Sequence, residues 1–248
     1  MLTTLQGSRS PEHDQLPGSA AVVCKGISKS FGDEPAVRNV TLQVDRGSTF
    51  ALLGPSGGGK TTTLRMIAGF ERPDSGSISI EGRTVVGQSE IVPPERRRVG
   101  MVFQDYALFP HMTVRQNTSF GVPSGPERDR RVDDVLDLVG LSSVADHMPF
   151  QLSGGQQQRV AVARALAPNP SVVLLDEPFS NLDATLRQHV REEIRQILHE
   201  TNKTAIFVTH DQDEAFGLAD TVGIMLDNTL VQVGQPQDVY LYPASIEV

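Results

Sequence analysis

Residues 49–68 read TFALLGPSGGGKTTTLRMIA, an apolar run, a glycine loop and a helix-forming stretch in immediate succession. The run at 49–53 suits a strand buried on both faces. Gly54 to Thr61 fits G-x-x-x-x-G-K-[ST] in the setting that pattern requires, a strand before and a helix after. Glycines there let successive N–H groups turn inward around phosphates, and the helix start adds its dipole. Lys60 is placed for the β and γ phosphates, and the Thr61 hydroxyl for Mg²⁺. Gly54, Pro55, Ser56, Gly57, Gly58, Gly59, Lys60, Thr61 and Thr62 are therefore the candidate nucleotide loop. An ordinary glycine turn also matches the bare pattern, but rarely between a buried strand and a helix.

Outward from this loop, further apolar runs at 99–103, 172–175, 205–208 and 222–226 read as buried strands. Helical patterns lie at 60–68, 127–139 closed by Gly140, 156–167 and 186–200, the last with Leu186, Val190, Ile194, Ile197 and Leu198 on one face. Alternating strands and helices predict an α/β fold with a mostly parallel, helix-covered sheet. Residues 22–44 and 78–86, punctuated by Asp-Arg-Gly and Glu-Gly-Arg, predict a small antiparallel β region. Residues 1–20 are rich in Ser, Pro, Gly and Gln and read as a mobile tail, with order beginning near Val22.

The chain has 248 residues, with 22 Lys+Arg against 30 Asp+Glu and a net charge of −8. Such acidity denies the basic footprint of a nucleic-acid binder. The basic run Arg96, Arg97, Arg98 comes after Glu95 and is expected to form a solvated turn. A single cysteine, Cys24, excludes an intrachain disulfide and reads as core packing. No stretch approaches the roughly 18 apolar residues of a membrane span, and the N-terminus lacks the basic and apolar regions of a signal peptide. A cytosolic protein, soluble alone, is the expectation.

Four of the apolar runs end at residues of chemical use: Gly54, Gln104, Asp176-Glu177, and His210 after Thr209. In an open parallel α/β sheet ligands bind beyond the carboxyl ends of the strands, so these residues should share one edge. Asp176 fits a magnesium partner held through water, and Glu177 the base that polarises the attacking water. Neighbouring strand side chains face opposite ways, which would separate their roles. Carboxylates at a strand exit also cap turns, and Pro178 opens one here; the phosphate loop weighs against that simpler explanation. His210 suits the γ-phosphate or the water, and Gln104 suits metal-bound or attacking water, although each residue type is more often structural or exposed. Leu152-Ser153-Gly154-Gly155-Gln156 precedes a second helix and repeats the anion-facing geometry. Spacing leaves open whether the two helix starts meet in one chain or across a dimer.

Together the loop at 54–61, Gln104, the segment 152–156, Leu174-Leu175-Asp176-Glu177, Ser180-Asn181-Leu182-Asp183 and His210 resemble the nucleotide-binding subunit of an ATP-binding cassette (ABC) transporter. The resemblance runs from Val22 to the end and implies a P-loop NTPase (RecA-like) domain over 21–248, interrupted by a helical subdomain at about 105–160. It implies ATP with Mg²⁺, adenine stacked on Phe31, and a head-to-tail dimer. In that dimer Ser153, Gly154, Gly155 and Gln156 complete the site of the opposite subunit and Asp183 communicates between sites. Residues 99–111 are similar to the importer subgroup for ferric iron, spermidine/putrescine, sulfate and maltose, and within that subgroup residues 155–159 and 176–183 most resemble the ferric-iron type. Membrane permease subunits, and through them a solute-binding protein, are the implied partners, on the inner face of the cell membrane. Subunits of this subgroup continue into a C-terminal regulatory domain, which would begin where this sequence stops. Gly58 and Gln116-Asn117 depart from commoner residues without touching the catalytic set.

The rival readings are a non-transport ATPase of the same superfamily, an inert regulatory subunit and a small-molecule kinase. The chain lacks tandem cassettes or a coiled-coil insertion, keeps Lys60, Asp176, Glu177 and His210, and carries 152–156, which speaks against each in turn. Tyr106 to Met112 leaves the predicted site edge with unusually many apolar residues; it is expected either to dock a membrane partner or to pack within the helical subdomain.

Overall fold

The computed structural model describes residues 20–246 and residue 248. Of the expected tail, residues 1–19 lie outside the described residues, while Ala20 already opens the first strand.

A four-stranded antiparallel sheet comprises β1 (Ala20–Phe31), β2 (Glu34–Asp45), β4 (Ser75–Ile80) and β5 (Arg83–Val86), in the order β2-β1-β4-β5. Strands β4 and β5 join through Glu81-Gly82, with φ of 51° and 75°. Positive φ at both central positions matches the twist of a two-residue hairpin, which is the local reason for the turn.

The second sheet contains β3 (Thr49–Leu53), β6 (Val99–Val102), β7 (Val172–Asp176), β8 (Thr204–Thr209), β9 (Thr221–Leu226) and β10 (Thr229–Gly234), in the order β10-β9-β3-β8-β7-β6. All pairings are parallel except that of β10 with β9. Alternate residues of the central strands serve two cores. Ala51, Leu53, Val173, Leu175 and Phe207 enter one, and Phe50, Leu52, Val172, Leu174 and Ile206 the other. Each large side chain so buried contributes about 1.5–3 kcal/mol. This two-sided burial is why the apolar runs are continuous rather than alternating.

One face carries α1 (Lys60–Ala68) and the antiparallel sheet. The other carries α4 (Gly154–Leu166), α5 (Ala184–Glu200) and α6 (Gln212–Leu218). Between β6 and β7, α2 (Val114–Ser119) and α3 (Arg128–Leu138) pack against α4. A last helix, α7 (Pro236–Leu241), lies beside β10. Cys24 is fully buried in β1, and burial pushes its thiol up to about 12.

The solvated-turn expectation fails for the middle of the arginine run. Arg97 is 4% exposed, and its Nη1 donates to the Met66 and Ile67 carbonyls at 2.7 and 2.9 Å while Nε donates to Val92 at 2.7 Å. Its guanidinium thus caps the C-terminal end of α1, where helix carbonyls lack partners. A helix start also differs. α4 begins at Gly154 rather than Gln156, because Ser153 and Gln156 form a reciprocal capping box. Glycine's low helix propensity conceals that first turn in the sequence.

Candidate active site

The loop at 54–59 crosses the mouth between β3 and α1 under tight backbone constraint. A Cβ on Gly54 would stand 2.2 Å from the Met225 carbonyl oxygen; one on Gly59, at φ 86°, would stand 2.2 Å from that of Ala36. Both positions require the absence of a side chain. Lys60 is 4% exposed and folds over the loop, its Nζ donating to the Gly54 and Pro55 carbonyls at 2.9 and 2.8 Å. Burial lowers its pKa, against the carboxylates of Glu177 and Asp176, which raise it. A cavity of about 160 Å³ opens between residues 56–62, Ala36 and Glu177.

From the adjacent α1 turn, the Thr61 hydroxyl donates to Asp176 Oδ1 at 2.7 Å. Asp176 is 3% exposed at the end of β7, and burial raises its pKa while the Thr61 bond and Arg65 oppose the rise. A hydroxyl and a carboxylate held this close are hard oxygen donors that fit Mg²⁺, which takes few protein ligands when phosphate and water supply the rest. No group of three His, Cys, Asp or Glu suited to a metal occurs among the described residues.

Glu177 corrects an expectation. β7 ends at Asp176, and Glu177 has φ 43°, in the left-handed region. The strand alternation predicted to separate the two carboxylates therefore does not apply, and both act electrostatically on Lys60. Glu177 Oε2 lies 3.4 Å from His210 Nδ1, and its backbone N–H donates to Val208 at 3.2 Å. β7 and β8 thus deliver Glu177 and His210 side by side. At the next strand exit Gln104 is exposed, and its carbonyl accepts from Asn181 Nδ2 at 2.7 Å. Phe31 is 51% exposed at the end of β1, with Lys29 Nζ 5.4 Å from its ring centroid.

Ser153, Gly154, Gly155 and Gln156 do not line the loop cavity. Ser153 and Gln156 cap each other, and Gly155 lets α4 approach α5, where a Cβ would meet Val190 Cγ2 at 2.9 Å. Asp183 caps α5 by accepting from the Leu186 N–H at 3.0 Å. One chain brings together 54–62, Asp176, Glu177 and His210; it leaves the second helix start facing elsewhere.

Several site residues carry no signal in the sequence. Arg164 of α4 donates to the carbonyls of Ala107 and Tyr106 at 2.6 and 2.8 Å, and stacks 5.5 Å over Phe109. Those carbonyls belong to a turn in which Tyr106 and Ala107 have φ of 61° and 45°. Tyr106 is 7% exposed, so it packs in the core and is no docking residue. Phe109 and Phe120 instead line, with Phe70, Phe103 and Arg164, a cavity of about 780 Å³. Asp211 and Glu214, spaced i and i+3 after His210, carry the signal of a helix cap but not that of their link to the site.

The ABC transporter family model matches residues 37–180. The chain belongs to the ABC transporter family. It is 49% identical over 228 residues to the spermidine/putrescine import ATP-binding protein PotA of Nitratidesulfovibrio vulgaris, covering 90% of this chain and 61% of that protein. It is 48% identical over 229 residues to the Fe(3+) ions import ATP-binding protein FbpC of Photobacterium profundum, covering 91% of this chain and 64% of that one. The chain thus spans less than two thirds of these relatives. Among solved structures, the bacterial ABC transporter cassette MJ0796, determined as a dimer, superposes with a TM-score of 0.73 at 32% identity, over 87% of this chain and 98% of that one. The same cassette is known in a post-hydrolysis state with ADP and Pi. The α/β expectation, a mostly parallel sheet with a small antiparallel one, is the ABC cassette fold.

Proposed function

We propose that this chain is the ATP-hydrolysing subunit of an ABC importer, with ferric iron as the transported solute. The observation that carries the ATPase reading is the convergence of Lys60, Thr61, Asp176, Glu177 and His210 on one loop mouth. Loop N–H groups and Lys60 hold the β and γ phosphates, Lys60 exchanging its two carbonyl partners for phosphate oxygens. Thr61 and Asp176, with Gln104 as a further oxygen donor, would hold Mg²⁺, which would supply charge neutralisation at the phosphates. Glu177 accepts the proton of the attacking water, and His210, 3.4 Å away, orients that carboxylate and the γ-phosphate. Phe31, half exposed, offers its ring to adenine.

Because 152–156 lies outside its own chain's cavity, the site is completed by Ser153 to Gln156 of a second copy, and Asp183 lies at that junction. That the MJ0796 cassette was determined as a dimer supports assembly of two copies. Membrane permease subunits, and through them a solute-binding protein, are the further partners. The groove lined by Phe70, Phe103, Phe109 and Phe120 suits an apolar segment of the permease, beside the Gln104 turn. No helix among the described residues is long and apolar enough to cross a membrane; attachment to the inner membrane face through those subunits is part of the proposal. Ferric iron is favoured by the likeness of 155–159 and 176–183 to the ferric-iron type; the relative named for spermidine/putrescine makes polyamines the second reading.

The test is uptake into vesicles holding the full-length protein and its membrane subunits, with labelled ferric iron against labelled spermidine. ATP-dependent iron uptake supports the proposal, spermidine uptake replaces the solute, and failure of the purified subunit to release phosphate from ATP refutes the enzyme.

A further inference from the structure

Arg187 lies in the first turn of α5, and its guanidinium touches two loops that the sequence keeps more than twenty residues apart. Its Nη2 donates to the carbonyl of Leu182, immediately before Asp183, at 3.0 Å. Its Nη1 stands 3.5 Å from Asp211 Oδ2, and its Nε faces Glu214 Oε1 at 3.9 Å. On the far side, Asp211 and Glu214 fix the backbone that carries His210. Asp211 Oδ1 accepts the N–H groups of Asp213 and Glu214 at 2.8 and 3.2 Å. The Asp211 N–H donates to the Thr209 hydroxyl at 3.0 Å, and that hydroxyl donates to the buried Glu214 carboxylate. His210 is thus the exposed residue of a segment clamped at both neighbours.

Two features mark this as a connection rather than a surface ion pair. Arg187 Nε is buried and has no hydrogen-bond partner, since 3.9 Å to Glu214 is beyond bonding range. A buried donor left unpaired is costly, so a small movement of the guanidinium relative to Glu214 that closes this gap is favoured. The planar fork also reaches three acceptors in different directions, which an ammonium cannot reproduce.

We propose that Arg187 is a positioning residue that ties the Leu182-Asp183 loop to the His210 loop, so that displacement of the first, where a second copy engages, sets His210 against Glu177. This rests on the proposed ATPase reading and on the role given there to His210.

The experiment is steady-state phosphate release and fluorescent-nucleotide binding on the protein and on Arg187→Met, Arg187→Lys, His210→Ala and the Arg187→Met/His210→Ala double variant. Methionine keeps the aliphatic stem and is chosen over alanine to preserve folding, checked by thermal melts. Arg187→Met is expected to lower kcat about tenfold or more with KM and ATP affinity within about threefold of the parent. Arg187→Lys should not restore it, and the double variant should be no slower than His210→Ala alone. Full rescue by lysine, an unchanged kcat, or losses that multiply in the double variant would overturn the proposal. If His210→Ala hydrolyses normally, the role of His210 itself fails and the proposal with it. Should Arg187→Met not fold, Arg187→Lys with and without His210→Ala supplies the same cycle.

Discussion

Glu177→Gln separates catalysis from binding at this site. The substitution is isosteric, the left-handed backbone at φ 43° carries glutamine as it carries glutamate, and the amide oxygen can still accept from His210. What disappears is proton-accepting capacity. A positioned general base contributes about 10²–10⁴-fold, and at about 1.4 kcal/mol per decade the barrier should rise by roughly 3–5 kcal/mol. Ground-state binding moves the other way. Glu177 is one of two carboxylates acting on Lys60, so its neutralisation leaves more of that cation's field for phosphate. Phosphate release should therefore fall at least about 100-fold while ATP affinity, titrated by fluorescence, stays equal or tightens a few-fold. Near-normal turnover would remove Glu177 from the base role, and a parallel loss of affinity would show that the substitution damages the loop instead.

In the Glu177→Gln background, Mg-ATP should bring two chains together in light scattering, and Ser153→Arg should abolish this without altering the melting of the free protein. A charge in the groove, Phe109→Asp or Phe120→Asp, should uncouple uptake in reconstituted vesicles while the isolated subunit keeps its ATPase; normal transport by both would place the permease elsewhere. Asp176 has its pKa raised chiefly by burial, so the folded protein holds that proton more tightly than the unfolded chain does; the stability this contributes is present in acid and is lost as pH rises through the folded pKa. Asp176→Asn should accordingly raise the melting temperature of the nucleotide-free protein near neutrality, with the gain shrinking in acid, and should erase the further stabilisation by Mg-ATP.

Most of the catalytic edge is legible in the sequence because parallel strands buried on both faces announce themselves as apolar runs, and the polar residue that ends each run must stand at the carboxyl edge. Lys60, Thr61, Asp176 and His210 can be placed by that rule. The misreadings have local causes. Strand alternation misplaces Glu177 because a residue at positive φ looks, in sequence, like one more strand residue. Arg97 sits between two exposed arginines, and nothing in composition shows that one of the three turns inward to cap α1. Gly154 and Gly155 hide a helix start because their use depends on how closely Leu182 and α5 approach. The Arg187 and Arg164 contacts join segments distant in sequence, and only the folded chain brings them together.

Cys24 gives this molecule a practical property. With its thiol buried in the first sheet and its pKa pushed up to about 12, almost none of it is ionised at pH 8, against a much larger fraction of an exposed thiol. A cysteine introduced at an exposed site such as Ser124 should therefore take up a maleimide dye while the native one stays silent, with no cysteine-free background to build. Pairs of such dyes would report, molecule by molecule, whether the α2–α3 region moves when nucleotide is added.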